Sequence, residues 1–117
     1  MIPGTTPKHT FTLPFDPPEG SNYRIVYAQG KDYEEKIVLD LKTERCTVEG
    51  RDIVVTLQQS ETLAFDRHTY HQYGCLAPYP VKIQVGVETP DGCVLWSEII
   101  ITTVERCLRK DGRVCDG

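Results

Sequence analysis

The sequence predicts an all-β fold, a single antiparallel immunoglobulin-like β-sandwich of about seven strands. Three observations predict it. Val81, Ile83, Val85 and Val87 alternate strictly with Lys82, Gln84, Gly86 and Glu88, which is a strand with one buried face and one wet face. Thr89-Pro90-Asp91-Gly92 follows, with Pro presetting φ and Gly accepting positive φ, so the strand turns into a hairpin. No long helical period occurs anywhere in the chain, and turn signals recur roughly every 8–12 residues, the spacing of a sandwich.

The elements follow in order. Met1–Lys8 carries Pro3, Gly4 and Pro7 and reads as an extended arm, a natural docking or swapping element whose removal should weaken assembly and leave the sandwich folded. Phe11, Leu13 and Phe15 alternate with Thr10, Thr12 and Pro14. This is a first strand, placed at a sheet edge because Pro14 cannot donate to a ladder. After the Pro17-Pro18-Glu19-Gly20 turn, Tyr23, Ile25 and Tyr27 mark a second strand, and Ile37, Leu39 and Leu41 a third. Cys46-Thr47-Val48 and Ile53–Leu57 flank Glu49-Gly50-Arg51-Asp52 as a second hairpin. Ser60–Phe65 fits one helical turn capped by Ser60, at the corner before the sixth strand of an immunoglobulin-like domain. Asp66–Pro80 has no period and reads as a long loop holding His68, Tyr70, His71, Tyr73, Cys75 and Tyr79. The final hairpin runs from Val81 through Trp96 to Val104.

The expected core is the apolar face of each strand. It comprises Phe11, Leu13 and Phe15; Tyr23, Ile25 and Tyr27; Ile37 and Leu39; Ile53, Val55 and Leu57; and Val81, Ile83, Val85 and Val87. Leu95 and Ile99 should join from the last strand, with Ile101 if the register holds, and Trp96 reads as core or interface packing.

The 117 residues make one domain, divided into an arm over 1–8, a sandwich over 9–108 and a tail over 109–117. A net charge of −4 argues against nucleic acid or an anionic membrane as partner, since both require a basic field. The basic cluster Arg106, Arg109, Lys110 and Arg113 reads as a solvated end. No signal peptide and no apolar stretch of membrane-spanning length occurs, so synthesis and first folding in a cytoplasm are expected. Five cysteines, Cys46, Cys75, Cys93, Cys107 and Cys115, are an odd number without a CxxC pair and read as small hydrophobes or free thiols; a Cys107–Cys115 bridge stays open.

His68, His71 and Cys75 are the nearest approach to a zinc set, with Cys93 as a fourth donor, but the paired cysteines usual in such sites are missing. Neither a nucleophile elbow nor a phosphate loop is present, so no cofactor and no enzyme activity are expected. Tyr70, Tyr73 and Tyr79 suit recognition, because tyrosine offers a rigid apolar body with a polar tip.

Several runs carry a resemblance. Met1–Pro7 leading into His9-Thr10-Phe11-Thr12-Leu13-Pro14-Phe15-Asp16 resembles the start of small structural-type proteins encoded in prophages of Firmicutes. Tyr27-Ala28-Gln29, Cys46–Gly50, Val55–Leu63, Val81–Val85 and Val104–Leu108 extend the likeness over nearly the whole chain. Those proteins are in turn similar to the N-terminal immunoglobulin-like domain of phage baseplate upper proteins. The resemblance implies a non-enzymatic virion component of the tail or baseplate, acting through contacts with other phage structural proteins or as a homo-oligomer. The alternative is a carbohydrate-binding or adhesion module that uses the aromatic loop 66–80.

Overall fold

The computed structural model describes residues 1–30, 35–66, 68–70 and 76–104, with only the backbone of 68–70 and 76–78. Nine strands occur among them: β1 (Lys8–Thr12), β2 (Asn22–Gln29), β3 (Lys36–Lys42), β4 (Thr47–Glu49), β5 (Asp52–Thr56), β6 (His68–Tyr70), β7 (Leu76–Glu88), β8 (Val94–Trp96) and β9 (Ile100–Val104). A 3-10 turn covers Thr43–Arg45, and one short helix, α1, covers Gln59–Leu63. No helix among the described residues is long and apolar enough to cross a membrane.

The strands form two antiparallel sheets that sandwich the core. The smaller has the order β1-β5-β4. The larger has the order β3-β2-β7-β6, with β8 and β9 also paired to β7. The smaller order is that of immunoglobulin strands B-E-D, and β3-β2-β7-β9 is that of C′-C-F-G. In that frame α1 sits at the E–F corner, where a helical turn was expected. Its cap, however, is Gln58 and not Ser60. The Gln58 side chain and Glu61 form a reciprocal capping box, with the Gln58 N–H donating to Glu61 Oε1 at 2.8 Å. Arg45 holds the same carboxylate with two bonds of 2.7 and 2.8 Å, and this keeps the Glu61 pKa below the usual carboxylate range.

Period-2 alternation builds most of the core as expected. Ile25, Tyr27, Ile53, Val55, Leu57, Val81, Ile83, Val85 and Val87 are buried between the sheets. Leu13 is buried too, while Phe11 and Phe15 pack half-buried on the core. Two bulges break the rest of the expected list. On β3, Tyr27 faces Leu39 but Ala28 faces Ile37, so Val38 is an extra residue. Leu39 therefore packs on the core, while Ile37 turns to the outer face and is 62% exposed.

The second bulge separates β8 from β9. Gly86 faces Trp96, but Ile83 faces Ile100, which leaves three residues, Ser97–Ile99, opposite Gln84 and Val85. Ser97 patches the ladder: its N–H donates to the Val85 carbonyl at 2.8 Å and its hydroxyl accepts from the Val85 N–H at 2.9 Å. In the unbroken register Ile101 would stand opposite Val81 in the core. The bulge sets it opposite Lys82 on the outer face, 67% exposed. Ile99 lies in the bulge itself and is exposed. Leu95 remains on the inner face but at the open flank, beside a hollow of about 280 Å³ shared with Leu13 and Phe15, and is half exposed. Val104, absent from the expected core, is fully buried opposite Tyr79.

The loop expected over Asp66–Pro80 is partly sheet. His68–Tyr70 pairs with Leu76–Pro78, and β7 runs on without a break through Pro80. Gln29 places the start of this hairpin. Its side-chain amide donates to the Asp66 carbonyl at 2.9 Å and accepts from the Asp66 N–H at 2.8 Å, as a neighbouring strand would.

The arm expected over residues 1–8 is folded onto the sandwich. Pro3 is fully buried, and Met1 packs on the core. The Gly4 N–H donates to Thr62 Oγ1 at 2.9 Å, the Leu57 N–H donates to the Pro7 carbonyl at 2.9 Å, and the Met1 amine donates to the Thr103 carbonyl at 2.8 Å. The arm thus straps β5 and α1 to β9.

Candidate binding surface

The residues singled out in the sequence do not converge on one described site. His71, Tyr73 and Cys75 lie outside the described residues, as do Cys107 and Cys115. His68 and Tyr70 stand at the two ends of β6, with only their backbone described. Tyr79 lies on β7 opposite Val104, half-buried. Among the described residues, no three His, Cys, Asp or Glu side chains gather where a metal ion could sit. Cys46 and Cys93 are free thiols; burial raises the pKa of Cys46.

The remaining histidine, His9, belongs to the packing between sheets. Its Nδ1 lies 2.6 Å from the buried Tyr27 hydroxyl, and the two rings stack at 5.8 Å. Burial pushes the Tyr27 phenol well above its ordinary range, so it donates and the neutral imidazole accepts. Burial, helped by the charge of the amino terminus, holds the His9 pKa below its ordinary 6.5. The unfolded chain therefore takes up a proton near pH 6.5 that the folded chain still refuses. Stability should fall on acidification from about pH 6.5 down to the folded-state pKa, and level off below it. Thermal melts of wild type and His9→Gln between about pH 7.5 and 5 check this, since the variant should lose that part of the slope.

The outer face of the larger sheet is the most distinctive surface, and the sequence reading missed it. One row crosses four strands: Lys42 on β3, Arg24 on β2, Gly86 on β7 and Trp96 on β8. A Cβ at position 86 would come within 2.7–2.9 Å of the Trp96 ring carbons Cζ3, Cη2 and Cε3. The indole therefore lies flat on the strand backbone, and only glycine leaves room for it. Trp96 is neither core nor buried, being 47% exposed. A cleft of about 470 Å³ opens beside it, rimmed by Arg24, Lys42, Glu44, Glu88 and Asn22. Asp40 holds the Arg24 guanidinium through both of its oxygens, and this pairing lowers the Asp40 pKa. A signal for the pair existed: a hairpin centred on Asp91 sets position 86 opposite 96.

Next to the cleft lies an apolar edge. Val94, Leu95, Trp96, Ile99, Ile100 and Ile101 are each 43–67% exposed. Among the described residues no strand pairs with the outer side of β8 or β9. Thr103 turns its carbonyl away from β7 to the Met1 amine, so by the alternation of an antiparallel ladder Ile101 presents its N–H and C=O to the same open side. Ile99 also shares a hollow of about 170 Å³ with Val26, Ala28 and Ile37, closed at one end by the Lys82–Glu35 ion pair at 2.6 Å. Compared with protein-family models, curated proteins and solved structures, the chain has no match.

Proposed function

We propose that the protein is a non-enzymatic structural component of a phage virion, associated with the tail or baseplate, and that it works through protein–protein contacts. The observation that carries the contact role is the β8–β9 edge. Six large apolar side chains, each about half exposed, line this edge, with Val94, Trp96 and Ile101 on its outer face and Leu95 and Ile100 on its inner face. Edge strands of isolated domains are usually blunted by charge or proline, because an open edge invites pairing with another chain. Here, among the described residues, the edge from Val94 to Val104 carries one charged residue, Glu98 in the bulge, and Lys82 opposite Ile101 is engaged with Glu35. The virion assignment rests on the prophage resemblance of the sequence.

The test has two parts. The protein should be found by mass spectrometry in purified particles of the phage that encodes it; absence from intact particles overturns the virion role. Ile101→Lys places a charge on the edge at an exposed position, so folding stability should stay within about 0.5 kcal/mol of wild type. Assembly, followed by light scattering over a concentration series or by co-sedimentation with the particle proteins, should weaken at least about tenfold, about 1.4 kcal/mol. Unchanged assembly in Ile101→Lys removes the edge as the joint.

A further inference from the structure

We infer that the cleft beside Trp96 is a binding subsite for an uncharged sugar ring within an oligosaccharide. The indole has one face pressed on Gly86 and the other free, so it is a fixed apolar platform. Glycine in a strand interior weakens the strand and packs nothing. Its presence in the middle of the alternating Val81–Glu88 run is accounted for by the seat it makes for the ring.

The rim then selects the ligand. Arg24 and Lys42 bring two cations, while Glu44 and Glu88 bring carboxylates, all around one cleft. A charged ligand would meet like charge on one side. A sugar meets neither penalty, because each hydroxyl both donates and accepts. Its axial C–H face is apolar and packs on an aromatic ring, and its equatorial hydroxyls reach outward to the rim. Asp40 fixes the Arg24 guanidinium in place, so the donors on that side are ordered before binding. The volume of about 470 Å³ suits one or two rings.

This goes beyond the assembly role and is testable apart from it, since Ile101 is not part of the cleft lining. Trp96 is the only tryptophan in the chain, so its emission reports this subsite, and the Ile101→Lys protein separates that signal from assembly at the edge. The full-length protein, and Ile101→Lys in parallel, are titrated with hexasaccharides of glucose, mannose, galactose and N-acetylglucosamine up to about 10 mM, a range that includes millimolar affinity. At least one should shift the emission saturably and shield the indole from acrylamide quenching. Arg24→Ala should weaken that binding at least about fivefold. Gly86→Ala, which lifts the indole off the strand, should weaken it at least about tenfold, while the far-ultraviolet circular dichroism stays that of wild type. Two results overturn the inference. One is no saturable response to any neutral sugar in either protein. The other is a response that survives unchanged in Gly86→Ala.

Discussion

Tyr27→Ala should lower the unfolding free energy by about 3–5 kcal/mol, the range for deleting a large buried aromatic side chain. Among the described residues Tyr27 is the largest of the fully buried side chains, and it joins the two sheets. It rises from β2 in the larger sheet, stacks on His9 of β1 in the smaller, and meets Phe65 edge-on at 5.9 Å. Truncation leaves a cavity that neither sheet can close, because both are held by their own ladders. At this chain length each kcal/mol moves the melting temperature by about 4 °C, so the drop should reach about 12–20 °C. Tyr27→Phe keeps the ring and leaves only His9 Nδ1 without its donor, so its cost should stay near about 1 kcal/mol. Guanidinium melts of both variants check the pair. A loss under about 1 kcal/mol in Tyr27→Ala would show that the sheets do not depend on this contact.

Thr62→Val should cost about 2–3 kcal/mol although it changes neither shape nor volume by much. Thr62 is fully buried, and its hydroxyl is the socket of the N-terminal strap. It accepts from the Gly4 N–H at 2.9 Å, and its own proton is within reach of the Thr5 carbonyl at 2.9 Å and the Gln59 carbonyl at 3.1 Å. Valine strands a buried backbone donor without a partner. Hydrogen exchange should speed up at Gly4 and Thr5, and protease should cut within residues 1–7 while the sheets still protect the rest. Thr62→Ser keeps the hydroxyl and should stay within about 1 kcal/mol of wild type. Equal exchange rates at Gly4 in Thr62→Val and wild type would refute the socket. By the same reasoning, deleting the strap removes buried Pro3 and its bonds. The sandwich expected to stay folded without residues 1–8 should therefore do so with a loss of stability.

Where alternation was clean, the fold was legible. β7 sets Lys82, Gln84 and Gly86 between its apolar residues and buries the face the period marks, and β2 and β5 bury theirs although Val26 and Val54 interrupt the alternation. Legibility ended where an apolar run carried or bordered a bulge. Ile37-Val38-Leu39 and Ile99-Ile100-Ile101 are such runs, and a one-residue bulge in or beside each is invisible to a period of two. A missing period misled in a second way. Asp66–Pro80, read as a loop for want of a period, contains Pro78 and Pro80, yet Pro80 stands in β7 opposite Thr103, whose carbonyl turns away from β7, a position where no N–H is required of it. The cleft was hidden for a third reason. Its parts lie on four strands, and only the pairing register brings Lys42, Arg24, Gly86 and Trp96 into a row.

The strap and β9 also set when the molecule can finish folding. Met1 is bonded to Thr103, and Val104 fills the core opposite Tyr79. A ribosome adding about 5–20 residues per second releases the earliest segment several seconds before the one it must grip. During that interval the nascent chain has the β2–β3 and β4–β5 hairpins within reach, but an unsealed flank along β7. Closure of the sandwich therefore waits until Val104 has cleared the ribosome, and Tyr79, Val81 and Ile83, once outside the tunnel, lack their cover on that flank until it does.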